Sequence, residues 1–194
     1  MTNSKEDCAL NNSTETATLQ RLVDRQEILD CIARYCSAVD RFDRDLLLSV
    51  YHADAVDDHG TFVGGPEAFV DWAFAYHKKY QHGHKHYILN HLCELDGDQA
   101  HTETYWLFAA RNTLGPATTL HGGRYLDRFE RRAGKWAIAG RKCIIEWGGA
   151  ANEVPLPVEA LQAYAATGTA QRDTSDPAYQ RPLTIDREAF VLPF

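Results

Sequence analysis

The feature that most constrains the fold is a run of four long strand-type segments in the second half of the chain. Each is about 12 residues long and rich in apolar, β-branched and aromatic residues, at residues 84–95, 100–112, 118–131 and 135–147. Asp96-Gly97-Asp98 and Ala133-Gly134 have the composition of hairpin turns. Consecutive strands joined by such turns predict an antiparallel meander.

Three helical segments precede the meander. The first, residues 19–41, places its apolar side chains within one arc of roughly 120° when each residue turns the helix by 100°. The others are predicted at about 43–52 and from Pro66 to about residue 80, with short strands between them at 55–65. Helices followed by an antiparallel meander indicate an α+β fold. Because such long strands must twist and bend, we expect a cone-shaped barrel of mainly antiparallel sheet, wrapped on three helices around a pocket.

The two ends of the chain differ from this central part. Residues 1–18 are rich in Asn, Thr and Ser, and we expect a loose, flexible arm. Residues 19–148 are predicted to form one domain. The tail, residues 149–194, is interrupted by prolines, with a short helix expected at 158–166. We expect the tail to cover a pocket mouth or to contact another subunit.

Composition excludes several classes of function. The chain has 194 residues, a formal net charge of −7 and no basic stripe, so nucleic acid is not the expected partner. Its five cysteines are an odd number without paired spacing, which is typical of reduced thiols in a cytoplasmic protein. No apolar run has the length of a membrane span, and no membrane partner is expected.

The histidine-rich stretch 82–91 is the strongest chemical signal. Read with a period of two, it places His84, His86 and Ile88 on one face of a strand, as expected for the wall of a lined cavity. Asp40 is a carboxylate at the edge of the apolar face of the first helix. A neutral imidazole can accept a proton near neutral pH, and an aspartate can fix its tautomer. We therefore interpret His86 as a general base and Asp40 as the carboxylate that orients it.

Several segments resemble the SnoaL-like branch of the nuclear transport factor 2-like superfamily. They are residues 24–40, 51–55, 123–130 and 135–138. The resemblance extends over about residues 19–148 and implies the fold more strongly than the activity, because the superfamily contains enzymes, carriers and structural subunits.

Within this superfamily the spacing is most similar to scytalone dehydratase, hexachlorocyclohexane dehydrochlorinase and bile-acid 7α-dehydratase. These enzymes pair an aspartate of the first helix with a histidine of a strand, and some add a tyrosine or an arginine. The resemblance implies that Asp40 and His86, 46 positions apart, are the pair. It also implies catalytic roles for Tyr35 on the first helix and for Arg141 on the last strand.

The register of the resemblance leaves rivals for two of these roles. His84 is the rival of His86, and Lys142 is the rival of Arg141. Further candidates combine aromatic, apolar and polar groups suited to a hydrophobic or aromatic substrate. These substrate-binding candidates are Tyr51, His59, Trp72, His84, Leu107 and Tyr125.

Structural roles remain open for the same residues. Asp40 can end the first helix or cap the second, because aspartate favours helix starts. Arg141 can pair with an acid such as Glu103 across the sheet. Tyr35 can belong to the core, and His86 alone can be an ordinary wall residue.

A metal site is the competing chemistry. The His84-x-His86 pattern is similar to the cupin metal motif, which needs an acid four or five positions after the second histidine. Asn90 and His91 stand at those positions, so no metal and no cofactor are expected.

These observations predict a cofactor-independent lyase of aromatic compound catabolism. It would eliminate water, halide or formaldehyde from a small hydrophobic or aromatic molecule, with the Asp40–His86 dyad as general base. One alternative is a ketosteroid-isomerase-like proton shuttle in which Asp40 is the base. Another is a non-catalytic subunit, such as the β subunit of a ring-hydroxylating dioxygenase, or a carrier. The resemblance also implies a homo-oligomer, a trimer.

Overall fold

The computed structural model describes the backbone of residues 4–189 and 191, and the side chains from residue 15 onward. The helices are α1 (Ser4–Arg41), α2 (Arg44–Ser49), α3 (Pro66–Tyr80) and α4 (Val158–Ala165). The strands are β1 (Tyr51–Asp58), β2 (Val63–Gly64), β3 (Gln81–Asp96), β4 (Gln99–Asn112), β5 (Thr118–Arg132) and β6 (Lys135–Ala151). Helices come first and the long strands follow, which confirms the predicted α+β class.

The strands form one six-stranded sheet in the order β2-β1-β6-β5-β4-β3. Strands β3 to β6 are the predicted antiparallel meander, whereas β1 pairs with β6 in parallel. The sheet curls around the helices but stays open, because β2 and β3 are its two edges in the part of the chain that is described. Register shifts in β1, β3, β5 and β6 allow this curvature.

The core lies between α1 and the inner face of the curled sheet. Ile28, Ile32, Tyr35 and Val39 are almost completely buried and recur along one side of α1. Large aromatic side chains of the strands, including Phe129, pack against them. The apolar face of the first helix is therefore as predicted.

Helix α1 is longer than expected. The backbone of residues 4–18, for which we expected a loose arm, is helical, while the side chains of residues 15–23 are exposed. Extending a helix costs little once a packed segment has nucleated it, and Glu15, Ala17 and Leu19 are good helix formers.

Two other boundaries also differ from the prediction. The second helix ends at Ser49, and Tyr51, which was expected in that helix, begins β1. The backbone N–H of Ile138 donates to the carbonyl of Val50 at 2.9 Å, which joins the chain to the sheet at this point. Strand β6 continues to Ala151, beyond the predicted strand end at residue 147, because it pairs with the start of β5.

The tail contains the predicted short helix, α4, and then returns to the end of α1. We call residues 168–180 the strap. Asp176 of the strap forms a 3.0 Å ion pair with Arg41, and the hydroxyl of Tyr179 donates to Asp43 at 2.6 Å. Among the described helices, none combines the length and apolar character needed to cross a membrane.

Candidate active site

Asp40 and His86 form a direct carboxylate–imidazole pair. Asp40 lies in the last turn of α1 and is 5% exposed, and its Oδ1 is 2.7 Å from Nδ1 of His86 on β3. The backbone N–H of His86 also donates to both carboxylate oxygens at 3.2 Å. A carboxylate only accepts hydrogen bonds, so Nδ1 carries the proton and Nε2 keeps its lone pair. No described residue hydrogen-bonds to this Nε2.

Aromatic rings surround His86. Its ring centroid is 4.7 Å from that of Phe108 and 6.5 Å from that of Tyr35. Leu107, a predicted pocket residue, lies on the other face of the sheet, because His86 pairs with Phe108 whereas Leu107 pairs with the exposed Tyr87. The alternation of side chains along β4 therefore assigns the contact to Phe108, which the sequence analysis missed.

Both ring nitrogens of His84, the rival base, have polar partners: a donor at Nδ1 and acceptors at Nε2. Its Nδ1 is 3.1 Å from Nη2 of Arg172, and its Nε2 is 3.3 Å from the carbonyl of Val39 and 3.6 Å from Oδ1 of Asp40. Burial, reinforced by nearby cationic groups, lowers the pKa of His84 to about 2. His84 is therefore a neutral ring without a free acceptor nitrogen, and the geometry favours His86 as the base.

A second carboxylate–imidazole pair lies on β1 and the turn that follows. Asp57 is 1% exposed; it accepts a hydrogen bond from His59 and another, at 2.5 Å, from the hydroxyl of Tyr51. The other nitrogen of His59, Nε2, is 3.3 Å from the hydroxyl of Tyr35. Burial raises the pKa values of Tyr35 and Tyr51 well above their usual range, so both stay protonated donors.

His59, Tyr51 and Tyr35 are predicted site residues, whereas Asp57, which connects them, is not. The sequence does carry a signal for Asp57, because Asp57 and His59 are two positions apart and would share one face if the strand predicted in this region continued through His59. Trp72, another predicted pocket residue, lies on α3 with its ring centroid 6.1 Å from that of His59. The structure therefore brings these predicted residues into one buried cluster.

Arg141 is buried between aromatic rings and an acid. Two nitrogens of its guanidinium bind the carboxylate of Asp127 at 2.7 Å each, and its carbon lies 4.2 Å from the ring centroids of Tyr35 and Tyr125. Although burial opposes the charge, Asp127 raises the pKa of Arg141 well above its usual range. The third nitrogen, Nη1, is buried and has no hydrogen-bond partner among the described residues.

The predicted alternatives for Arg141 are also placed by the structure. Lys142, its rival, is exposed on the outer face of the sheet. Glu103, its suggested partner, binds Arg124 instead, at 2.9 Å. Asp127 was not foreseen, because the sequence offers many acids and only the register of β5 against β6 pairs it with Arg141.

The profile of the SnoaL-like domain family matches residues 20–142. The chain belongs to this family. No curated protein sequence matches the chain.

Solved structures share the SnoaL-like fold over most of their length. The hexachlorocyclohexane dehydrochlorinase LinA-type3 from Novosphingobium barchaimii is 22% identical, with a TM-score of 0.66, over 72% of this chain and 98% of that chain. A candidate scytalone dehydratase from Novosphingobium aromaticivorans is 17% identical, with a TM-score of 0.63, over 71% and 93% of the two chains. A candidate aromatic ring hydroxylase from the same organism is 26% identical, with a TM-score of 0.58, over 64% and 90%.

One group of side chains in this SnoaL-like domain has the composition of a metal site. One ligand atom each from Asp40, His84 and His86 lies within 4.8 Å of the others. Arg172 opposes metal binding there: a guanidinium only donates, so the Nδ1 of His84 must accept and its Nε2 carries the proton. His91, also in the histidine-rich stretch, faces Thr104 at 2.8 Å and is not part of this group.

Proposed function

We propose that this SnoaL-like domain is a cofactor-independent lyase acting on a small hydrophobic or aromatic molecule. The observation that carries the proposal is the Asp40–His86 pair, in which the Nε2 of His86 keeps an unpaired lone pair among aromatic rings. The names of two structural relatives, a dehydrochlorinase and a candidate scytalone dehydratase, favour elimination as the reaction class.

In this reaction His86 acts as the general base. Its Nε2 takes a proton from carbon, and Asp40 stabilises the imidazolium that forms. The electron pair of the broken C–H bond forms the new double bond as the adjacent C–O or C–halogen bond breaks. In the formaldehyde variant, the base takes the hydroxyl proton and the electron pair of the O–H bond forms the C=O bond of formaldehyde. The electron pair of the broken C–C bond stays on the remaining carbon, which then takes the proton back from His86.

The second cluster supplies a proton to a departing hydroxyl. Tyr35 is a protonated donor whose hydroxyl faces His59, and His59 is in turn held by Asp57. This relay requires a proton on both nitrogens of His59: as Tyr35 gives its proton to the leaving oxygen, the Nε2–H of His59 replaces it. Water then departs neutral, and His59 keeps its Nδ1 proton toward Asp57.

Arg141 acts on developing negative charge through its unpaired Nη1. Asp127 already balances the charge of the Arg141 guanidinium. We therefore expect Arg141 to stabilise the transition state only as much as one hydrogen-bond donor, its Nη1, can do. It also fixes the rings of Tyr35 and Tyr125, which contact its two faces.

The test is an elimination assay over a panel of aromatic and alicyclic alcohols, halides and hydroxymethyl compounds. With a substrate that the wild type converts, His86→Gln should lower kcat/KM by about 10²–10⁴, the usual range for a general base. Asp40→Asn should cause a loss of similar order, because the amide removes the charge that stabilises the imidazolium and can present an N–H where the carboxylate only accepted. The control is His82→Gln, at an exposed position of the same strand, which should retain wild-type activity.

The same variants separate the alternative functions. Loss in Asp40→Asn with full activity in His86→Gln would identify Asp40 as the base, as in the isomerase alternative. A panel on which the wild type turns over no compound would contradict the lyase proposal and favour the non-catalytic subunit.

A homo-oligomer, with the trimer implied by the resemblance, and a cytoplasmic location remain predictions. The face of the sheet away from α1 supports the first, because Tyr87, Leu92 and Tyr105 are exposed apolar side chains there. Sedimentation equilibrium of the full chain would measure the number of subunits.

A further inference from the structure

We propose that Arg172 of the strap is a positioning residue that fixes the ring tautomer of His84 and thereby holds Asp40 toward His86. The inference rests on the proposed function, because it assigns a role in the same site. It concerns a residue outside the range matched by the family profile, 20–142.

The hydrogen bonds of His84 determine its tautomer. All nitrogens of Arg172 are donors, so the 3.1 Å contact from its Nη2 requires an unprotonated Nδ1 on His84. In a neutral imidazole the proton then lies on Nε2. This N–H points at two oxygens, the carbonyl of Val39 at 3.3 Å and Oδ1 of Asp40 at 3.6 Å.

The consequence for Asp40 is electrostatic. With Nε2 protonated, His84 presents a positive N–H dipole to the carboxylate that also receives two N–H groups of His86. With the other tautomer, a nitrogen lone pair would face both oxygens and repel them. Because His84 is buried against α1, its ring or Asp40 would have to move, and the 2.7 Å contact between Asp40 and His86 would lengthen.

Arg172 is well placed to select the tautomer because it is itself fixed. It donates to the carbonyls of Gln81 at 2.6 Å and His77 at 3.0 Å, where the C-terminal end of α3 attracts a cation. Its guanidinium carbon lies 4.2 Å from the ring centroid of Phe42. Within the strap, the backbone N–H of Gln171 donates at 2.9 Å to Asp176, which in turn pairs with Arg41 of α1.

A cavity adjoins this contact. It has a volume of about 500 Å³ and lies between β3, β4 and the strap. Its lining includes His84, Lys85, Arg111 and Arg172. Arg172 therefore contacts the cavity on one side and His84, the neighbour of Asp40, on the other. Through His84 it can affect the site without contacting the reacting atoms.

The test compares three variants of the full chain. Arg172→Met removes the donors but keeps an unbranched side chain, and Arg172→Lys retains a donor. Arg181→Met is the matched control, because among the described residues the guanidinium of Arg181 donates to two carbonyls of the strap, those of Ala178 and Gln180. Long-range proton–nitrogen spectra of protein labelled at histidine report which ring nitrogen of His84 is protonated, and His84→Gln assigns the signal.

In the wild type and Arg181→Met, we expect the Nε2–H form of His84. In Arg172→Met the two acceptors at Nε2 still favour the Nε2–H form, but the donor that opposes a proton on Nδ1 is lost, so we expect a fraction of His84 to take the Nδ1–H form. We expect kcat to fall by up to about tenfold, the order of loss when an outer contact that orients a histidine is removed. KM should change by less than about threefold, because Arg172 does not contact the substrate. Arg172→Lys should restore both the tautomer and most of kcat.

Three results would overturn the inference: an Nδ1–H form in the wild type, an unchanged tautomer in Arg172→Met, or an unchanged kcat there. A fall in kcat with an unchanged tautomer would mean that Arg172 supports the fold around the site but does not set the tautomer of His84. The tautomer is measured without substrate, so failure of the lyase proposal would leave this part of the test intact.

Discussion

At the scale of single residues, two chemically similar pairs differ in what their second ring nitrogen meets. In both Asp40–His86 and Asp57–His59 the carboxylate accepts from Nδ1. The Nε2 of His59 faces the hydroxyl of Tyr35, whereas that of His86 has no hydrogen-bond partner in the described part of the chain. The pair on β3 is therefore suited to accept a proton, and the pair near β1 is suited to relay one.

The Arg141–Asp127 pair supports a prediction at the same scale. Both side chains are fully buried, so Asp127→Asn leaves a buried cation without its counter-charge. Breaking a buried pair in this way costs about 3–5 kcal/mol. We expect a loss of that size in the free energy of unfolding, measured by urea denaturation.

The control for this prediction is Asp98→Asn, which removes one of the two carboxylate partners of Arg131, at a carboxylate that is 71% exposed. Its effect should stay within about 0.5 kcal/mol, as is usual for surface substitutions. Equal losses in the two variants would contradict a structural role for the buried pair.

At the scale of elements, the bend of β5 depends on a close approach of two backbones. The pairing of β5 with β6 shifts between Gly122 and Gly123. A Cβ at Gly123 would clash with the carbonyl oxygen of Ile144 and would lie 2.8 Å from the ring of Trp106. Only glycine at position 123 allows the backbone of β6 at Ile144 to approach β5 this closely. It also leaves room for the ring of Trp106, which stacks on Tyr125 at a centroid distance of 5.6 Å.

Gly123→Ala should therefore destabilise the protein by about 1–3 kcal/mol, the usual cost of overpacking. Gly149→Ala is the matched control on β6, because a Cβ there meets no atom within 4 Å. Thermal unfolding of both variants measures the difference. A stability of Gly123→Ala equal to that of Gly149→Ala would show that the bend does not need this glycine.

At the scale of the whole molecule, stability should depend on pH through two neutral histidines. Burial lowers the pKa of His77 to about 3 and that of His84 to about 2, whereas both titrate near 6.5 when unfolded. Below pH 6.5 the unfolded chain binds protons that the folded chain does not, so stability falls as pH falls. Between about pH 6 and 3, each histidine should contribute a loss of roughly 1.4 kcal/mol per pH unit.

Urea denaturation at several pH values between 7.5 and 4.5 measures this dependence. In His84→Gln, the free energy of unfolding should fall less per pH unit than in the wild type. In His82→Gln, at an exposed position, it should fall as it does in the wild type. If the free energy of unfolding changed equally with pH in all three proteins, the fold would not hold His84 neutral.

Local patterns of residues are sufficient to predict the α+β class, the apolar face of α1 and the long strands, because periodic burial and turn composition depend on neighbouring positions in the chain. The sequence also identified Asp40 and His86, whose residue types and spacing resemble those of a known group. The family match confirms the resemblance.

The partners that these side chains meet depend on the three-dimensional arrangement of distant segments. Leu107 and Phe108 are neighbours in the chain, yet the register of β4 against β3 directs only Phe108 to His86. Asp127 became the partner of Arg141 through pairing of β5 with β6, and Arg172 reaches His84 from 88 positions away. Contacts between distant segments depend on how the sheet curls and where the strap returns, and neither is encoded in a local pattern of residues.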